Sequence, residues 1–108
     1  MHCSSLLQIE NDLTRGHAIW IVEMIYDSLK GIVKIGFTQN PETRKIDRWL
    51  SFRDVLDFKD RRSEENDSIP NLIGILVDGK LGGTRYTITS DMNEISLFTT
   101  AKPEISFR

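Results

Sequence analysis

Five runs rich in β-branched and aromatic residues constrain this chain most, because each has strand length and is bounded by turn chemistry. They are residues 18–26, 32–37, 72–77, 85–89 and 94–99. The first run, Ala18 to Tyr26, is followed by Asp27-Ser28-Leu29-Lys30-Gly31 and then by Ile32-Val33-Lys34-Ile35-Gly36-Phe37. Two strands with about five residues between them predict an antiparallel hairpin. Later in the chain, Asp78-Gly79 and Gly82-Gly83 are turn signals, and Arg85–Thr89 and Glu94–Thr99 alternate as strands do.

Between these β regions lies a segment that reads as helix. In Thr38-Gln39-Asn40-Pro41-Glu42, Asn40 suits an N-cap, Pro41 the first helical position, and Glu42 the positive end of the dipole. The spacing predicts a helix from Pro41 to Leu50 with Ile46, Trp49 and Leu50 on its apolar side. Ser51-Phe52-Arg53-Asp54 has the form of a capping box, so the helix either bends there or is followed by a second one to Lys59. Arg61 to Ser68 reads as an exposed loop, and residues 1–14 as a tail or short helix. The expected fold is α+β, in the order β-β-α-(α)-β-β-β, with helix packed on a mostly antiparallel sheet. Its core should include Ile19, Ile21, Val33, Ile35, Ile46, Trp49, Leu50, Ile75 and Val77.

With 108 residues, 39% of them hydrophobic and 28% charged, the chain has the balance of a single globular domain, with residues 18–99 as its body. A lone cysteine, Cys3, forms no internal disulfide, and no stretch approaches the roughly 20 apolar residues of a membrane helix. Met1 to Leu13 has neither a basic region nor an apolar run of signal-peptide length. The expectation is a cytoplasmic domain without membrane contact. His2, Cys3 and His17 lack the spacing of a zinc set, so no metal site is expected.

The net charge of −2 disfavours a general nucleic-acid coat, but its distribution is uneven. Residues 40–62 hold seven bases and five acids, whereas residues 63–108 hold four and seven. A basic face therefore has to come from the central segment, as does the mixed, solvated surface that is its alternative.

Gly31-Ile32-Val33-Lys34-Ile35-Gly36-Phe37-Thr38-Gln39-Asn40-Pro41-Glu42-Thr43-Arg44 resembles the second strand and first helix of the GIY-YIG endonuclease superfamily, in its phage-type Lys-Ile-Gly branch. The resemblance covers residues 19–50. It implies that Arg44 stabilises phosphate charge on the first helix, and that a strand tyrosine and a later glutamate supply the nucleophile's activation and a divalent-metal ligand. Ile19-Trp20-Ile21-Val22 has no tyrosine at the matching place, and no glutamate follows Arg44 in a helical setting; Glu64 and Glu65 fall in the expected loop.

The function expected from this is a nucleic-acid-binding domain with lost or impaired nuclease activity. Lys34, Arg44, Lys45 and Arg48 would contact phosphates, and no cofactor is needed. An active endonuclease, requiring a divalent metal such as magnesium, is one alternative. The other is a small phage or mobile-element protein acting as an inhibitor or regulator by binding protein, including a second copy of itself. Tyr86, Leu97 and Phe98 are the anchors that reading selects.

Overall fold

Alternation of apolar and polar side chains governs nearly all of this chain, including the part that reads as helix. The computed structural model describes residues 3–62 and 69–107. Among them are helix α1 (Cys3–Thr14) and strands β1 (Trp20–Asp27), β2 (Ile32–Thr38), β3 (Arg48–Phe52), β4 (Val55–Arg62), β5 (Leu72–Lys80), β6 (Gly83–Ser90), β7 (Asn93–Thr99) and β8 (Glu104–Phe107). The strands make two antiparallel sheets, ordered β1-β2-β3-β8 and β4-β7-β6-β5. Their inner faces share one core. Ile21, Val33, Ile35, Phe37, Leu50 and Phe52 enter it from the first sheet, and Val55, Ile75, Tyr86, Ile88, Ile95 and Leu97 from the second.

The expected α+β arrangement, with a helix on a sheet, is thus replaced by two packed sheets. The Asn40-Pro41 signal does start a helical turn: Asn40 Oδ1 accepts the Glu42 N–H at 3.0 Å, and the Arg44 N–H reaches the Asn40 carbonyl at 3.3 Å. Arg44 then takes a φ of 55°, a left-handed conformation that ends a helix, so the turn is not propagated. Ile46, Trp49 and Leu50 fit helical spacing, but Arg48 to Phe52 also alternates. The strand prevails because β3 pairs with β2 on one side and β8 on the other. The same holds for Val55–Lys59, which is strand β4 paired with β7.

Three smaller expectations also change. Asp78 and Gly79 lie within β5, and the hairpin turns two residues later at Leu81-Gly82, where Gly82 has a φ of 89°. Arg61 and Arg62 end β4 rather than opening a loop, whereas His2, Glu64 and Glu65 lie outside the described residues. Ile46 and Trp49 are not between the sheets. They cover Gly36 on the outer face of the first sheet, where a Cβ on Gly36 would meet Ile46 Cδ1 at 2.8 Å and Trp49 Cη2 at 3.1 Å. Val77 is half-buried against the core, and the other expected core residues are buried.

Backbone bonds stitch the sheets together. Trp20 bridges Asn71, the Ile21 N–H donates to the Pro70 carbonyl at 2.8 Å, and the Leu72 N–H donates to Ile19 at 2.9 Å. Helix α1 buries Leu13 in the core, and Glu10 Oε1 accepts the Ile75 N–H on edge strand β5 at 3.0 Å. No helix among the described residues is long and apolar enough to cross a membrane.

Candidate protein-binding surface

The β1–β2 hairpin ends in a turn that local chemistry holds rigidly. Asp27 Oδ1 accepts the N–H groups of Leu29 at 3.1 Å and Lys30 at 3.2 Å, an Asx-type turn. Gly31 follows with a φ of 66°, and a Cβ there would sit 3.3 Å from both the nitrogen and the oxygen of Val55. The close approach lets the Val55 N–H donate to the Gly31 carbonyl at 2.9 Å, joining the turn to the start of β4.

This construction presents apolar groups to solvent. Leu29, at the tip, is 97% exposed, and Leu56, at the bulge in β4, is 67% exposed. Behind them Tyr26 and Phe58 stack with ring centroids 4.4 Å apart. Tyr26 pairs with Val33 and Phe58 with Leu97, both core residues, so the stack links the two sheets at the rim of the core. Tyr26 remains 43% exposed. Apolar side chains on a preorganised turn, beside a stacked aromatic pair, have the composition of an interface centre.

The residues selected from sequence are dispersed. Lys34 is exposed on the outer face of the first sheet, opposite Ser51, while Arg44 and Lys45 are exposed beyond the end of β2. Arg44 stands on the left-handed turn instead of the helix that the resemblance implied. Arg48 is buried: its guanidinium donates to Leu13 O at 2.5 Å, Gln39 Oε1 at 2.8 Å and Asp47 Oδ1 at 2.8 Å. It is withdrawn from any phosphate contact. Tyr86 and Leu97 are core residues, and burial raises the Tyr86 phenol above its ordinary value. Phe98 is half-buried on the outer face of the second sheet.

The residues that sequence reasoning missed are Tyr26, Leu29, Leu56 and Phe58. One signal was available, an isolated leucine at the centre of an otherwise polar five-residue turn. Among the described residues, no group of three His, Cys, Asp or Glu is placed to hold a metal ion.

What the fold defines is a class: a small two-sheet antiparallel β domain with an N-terminal helix across strand edges. A crystal structure of an uncharacterized protein from Neisseria gonorrhoeae is similar, with a TM-score of 0.62 over 83% of this chain and 91% of that one. At 13% identity the likeness concerns the fold alone. No family model matches the chain, and no curated protein matches it.

Proposed function

We propose that this chain is a protein-binding module that recognises its partner through the β1–β2 turn and the start of β4. The observation that carries the reading is Leu29, almost wholly exposed on a turn that Asp27 and Gly31 hold in one conformation. A flexible loop would lose much of the gain from burying a leucine to the cost of ordering it; a held turn loses less. Leu56 and the Tyr26–Phe58 stack extend the apolar area, and burying one leucine side chain is worth about 2 kcal/mol.

Photocrosslinking in the native host tests this. A photoreactive residue at position 29 or 56 should give the same discrete protein adduct. The control is Ile73, 63% exposed at the opposite end of the second sheet from Val55. Adducts at Ile73 matching those at Leu29, or no discrete adduct at all, would overturn the reading. With the photoreactive residue at position 29, Leu56→Asp should abolish the adduct while leaving the far-ultraviolet circular dichroism unchanged.

A further inference from the structure

The outer face of the second sheet carries a different chemistry from the surface proposed above. Reading across the register, Asp57, Phe98, Arg85 and Asp78 form one row, and Lys59, Ser96, Thr87 and Leu76 the next. Arg61, Glu94 and Thr89 form a third. Lys59, Arg61, Arg85, Thr87, Ser96 and Glu94 line an open depression of about 270 Å³ on this face. Lys59, Arg61 and Arg85 against Glu94 and the Asp57 paired to Arg85 leave it positive by one charge, in a chain whose net charge is −2.

The cations are not equivalent. Arg85 is fixed in place: Nη1 donates to Ser96 Oγ at 2.7 Å and Nη2 to Asp57 Oδ2 at 3.0 Å, and the guanidinium lies 5.8 Å from the Phe98 ring centroid. Lys59 and Arg61 have no partner among the described residues. Arg61 faces Glu94 across the strands without forming an ion pair with it. Lys59 and Arg61 stand two residues apart on one strand, about 7 Å, and two strand spacings, roughly 10 Å, separate β4 from β6.

We propose that this face binds the phosphodiester backbone of a single-stranded nucleic acid, with Phe98 as the stacking surface for a base. The depression is too open to desolvate one small anion, so a lone phosphate would keep its water. A strand places several phosphates against Lys59, Arg61 and Arg85 at once and releases a counterion for each. An aromatic ring beside a row of bases on a sheet face is the arrangement that single strands use. Thr87 and Ser96 add hydroxyl donors to phosphate oxygens. Glu94 is the opposing charge in the site, so removing that charge should strengthen binding.

Fluorescence anisotropy with a labelled short oligothymidylate tests the proposal. With three phosphates contacted, log affinity should fall against log salt with a slope of about −2, at about −0.7 per phosphate for a single strand. Lys59→Gln with Arg61→Gln should weaken binding and reduce that slope to about −0.7. Glu94→Gln should tighten it. Lys34→Gln with Lys45→Gln, outside the depression, should change nothing. The proposal is overturned if no binding is seen at low salt, if the loss follows Lys34 and Lys45 instead, or if Glu94→Gln weakens binding. Competition by inorganic pyrophosphate as effective as that by the oligonucleotide would also overturn it, by showing an ion site rather than a strand site. None of these readouts depends on the adducts formed at Leu29.

Discussion

Tyr86 sits in the core with its ring tilted against Phe52, centroids 5.0 Å apart, and burial holds its phenol in the neutral form. The consequence for stability has a definite sign. The folded-state value is raised above the unfolded value near 10, so the contribution is fully present below pH 10. It is lost as pH rises from there through the folded value, because the unfolded chain ionises first. Stability to urea should therefore decline above about pH 10. Tyr86→Phe should decline less over the same range, and the difference between the two curves isolates the phenol from every other group. Equal declines would remove Tyr86 from the account. The burial itself was half legible: in Arg85-Tyr86-Thr87-Ile88-Thr89 the alternation pairs Tyr86 with Ile88, but it does not say which face turns inward.

A buried cation secures the C-terminal end of helix α1. The carbonyls of Leu13 and Thr14 accept from Arg48 Nη1 at 2.5 Å and 3.3 Å, where the dipole favours positive charge. One side chain from β3 thus fastens the helix to the first sheet, while Glu10 fastens it to β5. Arg48→Ala would leave the Leu13 carbonyl and Asp47 Oδ1 without the donor they now have, at a cost of about 3 kcal/mol. The measurement is the urea midpoint together with amide exchange. Exchange should accelerate in α1 more than in β6 and β7, and uniform acceleration would contradict the clip. Phe107 supports the same junction, with the Arg15 guanidinium 3.9 Å and the Arg48 guanidinium 5.0 Å from its ring centroid.

At the scale of the molecule, one core shared by two sheets predicts one unfolding event. Trp20 and Trp49 both belong to the first sheet, so fluorescence reports on that sheet, whereas far-ultraviolet circular dichroism reports on both. The two urea transitions should coincide. A separation would mean that the stitching at Trp20–Asn71 and Gly31–Val55 is too weak to couple the sheets. Charge is also organised at this scale. Arg48 from the basic central segment is buried, whereas Lys59 and Arg61 from the same segment join Arg85, 24 residues beyond Arg61, on one face.

The sequence by itself determined the β1–β2 hairpin, the strand character of β5, β6 and β7, and six of the nine expected core residues, which are buried. Those features depend on period and turn chemistry, which are local. The tertiary structure decided residues 41–59. There the helix start at Asn40-Pro41 is genuine, but a helix needs more than a nucleus, and Arg48–Phe52 gains a hydrogen-bonded neighbour on each side by entering the sheet. The same long-range pairing placed Gly36 beneath Ile46 and Trp49, which gives the glycine of the Lys-Ile-Gly motif a packing reason for being there. It also brought the Gly31 carbonyl to Val55, and with it the turn of Leu29 to the strand end of Leu56. Which side chains share a face depends on partners distant in the chain, and a local pattern carries no record of them.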